Sequence, residues 1–407
     1  MANNILYLGK FFPKDLLRTI TTDSKGKIGM SNHNFEMSII NGLCQQNEIK
    51  LICLTIPGVY SFPYSNRRLF TRAEAYDYKG HRIRSIGFCN LPIIKEICST
   101  IVLIIQILQS FKQIDDDRVD IIINTPNNNL LNALRFAKLF TNKHITQTVI
   151  IPDIPSMVTA MDKQNPLKGF ILKYLNRNSM KLTSDSNGLV LLTEAMMDFI
   201  DKPVPHIVME GIVDVESMDI TTEEISSDKE IILYTGTLRQ IFGVMNLVKA
   251  FQKINDTDVE LWICGSGDSK EAIEEASKVD SRIKFFGLVD SQTALKMQRQ
   301  ATILVNPRTS EGEYTKYSFP SKTIEYLLSG KSIIINRLPG IPEDYYQYVC
   351  TPKDESIEAM AECISNVLTS DSDSRKAKAQ SGRNFIISQK NSKVQTQRIL
   401  ELITKYQ

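Results

Sequence analysis

The sequence predicts an α/β protein built from two doubly wound domains. Three observations carry that reading. Short apolar runs alternate with helical stretches along the whole chain. Most of those runs close on glycine, proline or asparagine before the next helix begins. A polar, acidic stretch at 215–229 (VESMDITTEEISSDK) separates two such series. At 407 residues the chain exceeds one ordinary core. Its 42% apolar and 23% charged residues are those of a soluble globular protein. We set the domains at 1–205 and 206–385, followed by a terminal helical segment at 386–407.

In the first domain, Asn4–Leu8 (NILYL) is a buried strand ending at Gly9. A polar loop runs to Gly29, and a helix follows over Met30–Cys44, with Phe35, Ile39, Ile40 and Leu43 at helical spacing. Strand, glycine-bearing loop and helix form the opening unit of a doubly wound fold, without a GxGxxG fingerprint. His33 reads as a surface helix residue. Ile49–Leu54 is the second strand. Residues 57–90 interleave Arg67, Arg68, Arg72, Arg82 and Arg84 with Tyr60, Phe62, Tyr64, Phe70 and Tyr76. That pattern fits a solvated β-meander or a surface that docks on charge. Leu91–Gln113 is the most apolar stretch, yet its uninterrupted core falls short of the roughly 20 residues a spanning helix needs. It reads as a buried or membrane-surface helix, with packing the larger share. Asp120–Ile123, Thr146–Ile151 and Gly188–Leu192 are further strands. Asp153 follows one of them. A carboxylate there either faces the ligand crevice of an open sheet or caps a turn. Pro166–Lys181 is a basic amphipathic helix, and Thr193-Glu194 leads into a helix through Asp198.

In the second domain, His206–Met209 restarts the strands. Glu230–Tyr234 leads to Thr235-Gly236-Thr237, with Arg239 in the same loop to meet an anion. Val259–Cys264 leads to Gly265-Ser266-Gly267-Asp268, where glycines admit a ligand or permit a tight turn. Arg282–Phe286 ends in Gly287-Leu288-Val289. Thr302–Val305 ends in Asn306-Pro307-Arg308, before Tyr317–Gly330 (YSFPSKTIEYLLSG). In that stretch Ser318 is placed to cap a helix, Pro320 suits its first turn and Gly330 its end. Such a helix start offers free N–H groups and a positive dipole end to an anion. Lys322 adds a cation, and Glu325 lies one turn in, where a carboxylate meets hydroxyls. Phosphate at the tip and hydroxyls at the carboxylate describe a nucleotide; an ordinary surface glutamate is the plainer alternative. Ser332–Ile335 and Tyr348–Cys350 are the last strands, and Glu355–Leu368 and Asn384–Tyr406 the closing helices. Four strand ends of this kind on one sheet edge form a nucleotide crevice.

Seven scattered cysteines without a CxxC, and only four histidines, give no metal site and fit a reducing compartment. The opening MANNILYLGKFFPKD has no signal-peptide pattern. We therefore expect a cytoplasmic protein, in peripheral contact with the inner face of a membrane. Residues 1–205 hold 24 Lys and Arg against 17 Asp and Glu, and residues 206–407 hold 24 against 29. A basic first half suits an anionic partner: lipid, a phosphorylated acceptor or nucleic acid.

These motifs resemble those of retaining glycosyltransferases of family 4 with the GT-B architecture: two Rossmann-like domains facing each other across a cleft. GLVLLTEAM, VMEGIVD, ILYTGTL, LWICGSGD, FFGLVD and YSFPSKTIEYLLSGKSII stand in that family's order and spacing. The resemblance implies a glycosyltransferase that moves a sugar from a nucleotide-sugar donor to an acceptor with retention, without a metal or other cofactor. The helix at 386–407 would pack back on the N-terminal domain. The donor would lie on Gly236, Thr237, Arg239, Gly265, Gly267, Leu288, Val289, Arg308, Ser318, Phe319, Ser321, Lys322 and Glu325. Glu325 matches the family's ribose-binding glutamate, and with Asp153 it is the catalytic candidate. Gly29, Asp153 and Glu194 would meet the acceptor.

Two departures stand out. Tyr317 occupies the position, eight before Glu325, where the family usually has a second glutamate. Thr237 and Phe242 stand where it often has Arg and Lys. The FPSK loop is similar to that of enzymes assembling bacterial surface polysaccharide, such as capsule or exopolysaccharide. That implies a glycan or polyprenyl-diphosphate-linked acceptor, and no nucleic acid. The alternatives are a catalytically inactive nucleotide-binding member and a sugar-nucleotide epimerase on the same fold.

Overall fold

The computed structural model describes residues 3–13, 17, 30–47, 49–63, 69–160, 166–216 and 229–405. Gly29, Tyr64, Arg67, Arg68 and most of the 215–229 stretch lie outside them. The chain divides into two units, Met1–Asp214 with Asn391–Gln407, and Val215–Lys390.

The first unit holds an eight-stranded sheet in the order β10-β9-β8-β7-β1-β2-β5-β4. Its strands are β1 (Asn3–Gly9), β2 (Ile49–Thr55), β4 (Glu74–Tyr78), β5 (His81–Ser85), β7 (Arg118–Asn124), β8 (His144–Ile151), β9 (Gly188–Leu191) and β10 (His206–Val208). Every pairing is parallel except β4 with β5. The 57–90 region thus supplies this hairpin and a separate two-stranded ribbon of β3 (Phe70–Thr71) and β6 (Phe88–Cys89). The continuous Ile121–Ile122–Ile123 run of β7 is fully buried, as a central parallel strand requires. β10 pairs with β9, so the first unit runs to Asp214 rather than to 205.

The connection β1–α1 (Met30–Cys44)–β2 steps one way along the sheet. Those through α2 (Ile94–Gln113), α3 (Asn128–Ala137), and α4 (Pro155–Ala160) with α5 (Pro166–Thr183) all step the other way. Right-handed crossovers therefore place α2, α3 and α5 in one layer and α1 on the opposite face. Helix contacts agree: α3 touches both α2 and α5, and α1 touches the terminal helix α12 (Ser392–Lys405).

The second unit is a five-stranded parallel sheet, β13-β12-β11-β14-β15. Its strands are β11 (Glu230–Thr235), β12 (Val259–Cys264), β13 (Ile283–Gly287), β14 (Ile303–Asn306) and β15 (Ser332–Ile335). The helices between them are α6 (Val244–Phe251), α7 (Lys270–Val279), α8 (Ser291–Gln300) and α9 (Ser321–Ser329). α10 (Ile357–Thr369) and α11 (Ser372–Gln389) follow. The chain moves outward from β11 to β13, then returns to β14 on the other side, so strand order reverses between β11 and β14. Open α/β sheets bind ligands at such a reversal, beyond the carboxyl ends of the strands.

Three local expectations are corrected. Cys350 makes a single bridge to Ile334 rather than a strand. The closing helix expected over 384–406 is two helices, α11 and α12, parted at Lys390–Asn391, where the chain passes from one unit to the other. The terminal segment therefore joins the first unit from Asn391, not from 386.

Candidate functional site

The carboxyl edge of the second sheet is a mesh of loops packed backbone on backbone. The Gly236 N–H donates to the Cys264 carbonyl at 3.0 Å, and the Gly265 N–H to the Gly287 carbonyl at 2.7 Å. The Leu238 N–H reaches the Ser266 carbonyl at 3.0 Å. A methyl group on Gly265 would sit 1.8 Å from the Gly236 carbonyl oxygen, and one on Gly267 would sit 2.4 Å from Leu238. The amides of Gly236 and Gly265 are thus committed to neighbouring strand ends. What these glycines supply is close approach of the chain. Thr237 and Leu288 are exposed at this edge, with Val289 half-buried, and Arg239 leads into a short 3-10 turn, Gln240–Phe242.

Helix α9 begins beside this mesh. Pro320, not Ser318, is its N-cap residue, and Ser321 is its first residue. The reason is that Ser318 is engaged elsewhere. Its hydroxyl donates to the Tyr314 carbonyl at 3.1 Å and accepts from Arg308 Nη2 at 2.8 Å. Arg308 lies over the rings of Tyr314, at 4.7 Å, and Phe242, at 5.4 Å. This clamps a cation between the β11 and β14 loops. Phe319 is buried against Tyr345, at 5.3 Å. Ser321 is exposed, and the Ser321 and Lys322 N–H groups of α9 precede any intrahelical acceptor, while the Thr323 N–H donates to the Pro320 carbonyl at 2.8 Å.

Glu325 is held from one side. Its Oε1 accepts from Lys322 Nζ at 2.7 Å and from Gln298 Nε2 at 2.6 Å, while the side chain stays one-third exposed. Lys322 is therefore paired with Glu325 rather than standing as an independent cation. Gln298, on α8, is 1% exposed and also donates to Thr235 Oγ1 at 3.2 Å. The fully buried Tyr326 completes the network, its hydroxyl accepting from the Thr235 N–H at 2.9 Å. Four buried polar atoms around this edge have no partner among the described residues: Gln298 Oε1, Arg308 Nε, Thr323 Oγ1 and Asn336 Oδ1. Such orphans are uncommon in native proteins and cluster where a ligand or solvent completes the bonding. The sequence reading missed Gln298. Its signal was an amide on the same helix face as the buried Met297 and Ala301.

The first sheet has its own reversal of strand order, between β1 and β7. There Glu36, on α1, is 1% exposed beneath the end of β1. Both of its oxygens accept from the Lys10 N–H, at 3.0 and 3.1 Å, and the Tyr7 hydroxyl donates to Oε2 at 3.3 Å. Burial pushes this carboxyl up to about 7 despite those bonds. A methyl on Gly9 would sit 2.1 Å from Glu36 Oε2, which explains the glycine. Beside it Thr125 takes a left-handed conformation, φ 73°, and the buried Asn124 Oδ1 has no partner among the described residues. Sequence reasoning passed over Glu36, although it shares the apolar helix face with Ile39, Ile40 and Leu43. His33, read as a surface residue, is half-buried, and its Nδ1 accepts from the Phe12 N–H at 3.3 Å.

Asp153 follows β8 on the same edge. The protein around it raises its carboxyl to about 6, but the side chain is open to solvent, so water screens much of that penalty. Glu194 lies after β9 in a 3-10 turn, Glu194–Phe199, and meets His206 Nε2 at 2.9 Å. Among the described residues, no group of three His, Cys, Asp or Glu side chains is placed to hold a metal ion.

Residues 229–370, most of the second unit, match the family model described as Glycosyl transferases group 1. No curated protein sequence matches the chain. Solved structures match it over nearly its whole length. The catalytic domain of starch synthase IV from Arabidopsis thaliana, bound to ADP and acarbose, is 11% identical, with TM-score 0.64, covering 100% of this chain and 99% of that one. Anabaena HepE in complex with UDP is 12% identical, with TM-score 0.60, covering 99% and 100%. The lipopolysaccharide outer core galactosyltransferase WaaB is 12% identical, with TM-score 0.57, covering 99% and 100%.

The fold is GT-B. In GT-B terms the eight-stranded unit is the N-terminal Rossmann-like domain and the five-stranded unit the C-terminal one. The segment matching the glycosyltransferase family model contains Gly236, Gly265, Arg308, Lys322 and Glu325. Glu36 and Asp153 belong to the N-terminal domain.

Proposed function

We propose that this GT-B protein is a glycosyltransferase using a nucleoside-diphosphate sugar, and that its acceptor is a lipid-linked glycan of bacterial surface polysaccharide synthesis. The observation that carries the donor half is the Glu325 carboxylate. One oxygen is fixed by Gln298 and Lys322, one turn into the helix that starts at the reversal of strand order. Its second oxygen is left to accept hydrogen bonds from vicinal ribose hydroxyls. The Ser321 and Lys322 amides at the start of α9, with Arg308, suit the diphosphate, since fixed dipoles and cations stabilise charge that develops on a leaving phosphate. The exposed backbone at Leu288 and Val289 suits the base. Support for the chemistry comes from the glycosyltransferase segment 229–370, and support for the ligand class from UDP and ADP in the similar structures.

In this reading the anomeric carbon–oxygen bond to the diphosphate breaks while a bond to the acceptor hydroxyl oxygen forms. The attack comes on the face the diphosphate leaves, which retains configuration. The acceptor proton passes to a phosphate oxygen of the departing nucleoside diphosphate, so the protein supplies neither nucleophile nor metal. Asp153, Glu194 and Glu36 are the acceptor-domain carboxylates at the carboxyl edge of the first sheet; Glu36 is buried and Glu194 is paired with His206, so the exposed Asp153 is the one we assign to orient a hydroxyl.

A donor panel of UDP-, GDP-, ADP- and TDP-sugars, read by thermal shift and by released nucleotide with and without a polyprenyl-diphosphate-linked glycan, tests the proposal. A true donor at 100-fold its Kd raises stability by about 2.7 kcal/mol, and nucleotide release then requires acceptor. Failure of every donor to shift the transition overturns the reading. Tyr317, in place of the usual glutamate, favours one competing outcome: donor binding with neither transfer nor hydrolysis, which marks an inactive nucleotide-binding member.

A further inference from the structure

We infer that the outer helical layer of the N-terminal domain, formed by α2, α3 and α5, is a docking face for an anionic lipid bilayer. Ile94, Ile97, Ile101 and Ile105 recur every three or four residues along α2, and each is 44–56% exposed. Helical spacing gathers them into one stripe pointing away from the domain. The opposite side of α2, with Ser99, Leu103, Ile107, Ser110 and Phe111, is buried. Both faces of α2 are therefore apolar, where a surface helix ordinarily turns a polar face outward. The buried side also argues against insertion across a bilayer: the whole of α2, unlike its shorter uninterrupted apolar core, has the length and composition of a span, yet its other face belongs to the core.

The stripe does not stand alone. On α3 and the turn after it, Phe136, Leu139 and Phe140 are exposed. On α5, Phe170 and Tyr174 are 74% and 67% exposed, with Ile171 beside them. The three helices are tied together. Asn129 on α3 bonds Glu96 and Ser99 of α2, and Asn128 exchanges hydrogen bonds with Leu175 and Asn178 of α5, at 2.8 and 2.7 Å. Large apolar side chains are thus exposed on each of three neighbouring helices, and exposed apolar groups gathered in this way mark interaction surfaces.

Charge selects the occupant. Helix α5 has no acidic residue, and Lys173, Arg177 and Lys181 lie exposed on successive turns, on the same outward side as Phe170 and Tyr174. Arg135 on α3 and Lys112 at the end of α2 are exposed too. Aromatic and aliphatic side chains interleaved with cations match an anionic headgroup layer, where the apolar groups enter the acyl boundary and the cations meet phosphate. A partner protein of matching shape would need neither the cations nor so broad an apolar face.

The inference deepens the lipid-linked acceptor of the proposed function, but its test needs neither nucleotide nor acceptor. The full chain is floated with vesicles of neutral phosphatidylcholine or of phosphatidylcholine with phosphatidylglycerol, at low and high salt. Expected is binding to the anionic vesicles that weakens as salt rises. The pair I97S/I101S should lower the bound fraction at least about tenfold. The pair K173E/R177E should remove the preference for anionic lipid. All these positions are exposed, so both variants keep the thermal transition of the parent, which is measured alongside. Absence of flotation in the parent, or equal flotation of parent and variants, overturns the inference. So does a parent that dimerises in solution, becomes monomeric in I97S/I101S and ignores vesicles, because the face is then an interface between copies. In each of those cases a donor-panel result in favour of transfer still stands.

Discussion

Three side chains show how much this protein invests in placing carboxyl and amide groups. Glu325 presents one oxygen because Gln298 and Lys322 occupy the other. Glu325→Gln should weaken UDP or ADP binding at least about tenfold by calorimetry, the worth of a hydrogen bond to a charged group. A variant that binds as the parent does would remove the ribose role. Gln298→Leu keeps the volume but loses the donor. It should narrow the affinity ratio between ribo- and 2′-deoxyribonucleotides, a ratio that a merely structural role would leave alone. Glu36 poses a different problem, a carboxyl raised from 4.5 to about 7 by burial. Below about pH 4.5 it is protonated in both folded and unfolded chains, and stability is indifferent to it. As pH climbs through that value the unfolded chain ionises while the folded one stays neutral, so stability falls. The decline ends near pH 7, where the folded carboxyl ionises too. Its full amplitude is up to about 3 kcal/mol. Urea titrations between pH 4 and 8 should show this slope in the parent and a flatter one in Glu36→Gln. Equal slopes would mean that Glu36 titrates in the folded chain as it does in the unfolded one.

At the scale of elements, the alternation of strand and helix was readable because buried parallel strands are continuous apolar runs such as III in β7 and β15. The loops were less so. α9 begins at Ser321 rather than after Ser318, because Arg308, ten residues earlier, takes the serine hydroxyl. Lys322 reads as a phosphate cation by position but pairs with Glu325, a choice made by side-chain geometry. Glu36 and Gln298 were hidden because a lone polar residue on an apolar helix face shows its purpose only when its partners, Lys10 in one case and Thr235 in the other, are brought near. The glycines were legible as loop markers, but not what each one makes room for. Gly243 takes φ 74°, and a methyl there would lie 2.3 Å from the Pro307 carbonyl oxygen. This contact joins the β11 and β14 loops across the reversal of strand order. Gly243→Ala combines a left-handed backbone with a clash against main chain. It should cost about 2–4 kcal/mol in urea denaturation, and it should weaken nucleotide binding if the two loops share a ligand. A loss below about 1 kcal/mol would mean that the Pro307 loop moves away freely.

At the scale of the molecule, the chain passes between its units twice, after Asp214 and after Lys390. The last residues thereby return to the domain that the first residues began. Helix α12 is bound there by specific bonds as well as by packing. The Ser392 N–H donates to the Val213 carbonyl at 2.8 Å, Gln395 reaches the Gly211 carbonyl at 2.8 Å, and Arg398 reaches the Val208 carbonyl at 2.8 Å. Ile399, Leu402 and Ile403 are buried in one cluster with Ile39, Ile40 and Leu43 of α1. A methyl on Gly42 would sit 2.2 Å from the Ser392 carbonyl, so α1 and the start of α12 meet at main-chain distance. Removing α12 would expose the α1 face of the first sheet. Three buried aliphatic side chains at about 1.5–3 kcal/mol each approach the whole stability of a typical domain. A chain ended at Lys390 should therefore lose the first unit while the second, whose own core of β11–β15 and α6–α10 is untouched, stays folded. Limited proteolysis should leave a protected fragment close to 229–390 and degrade residues before 215. Equal protection of both units in the shortened chain would show that α12 is dispensable, and that the first sheet is stable with one face of α1 open to water.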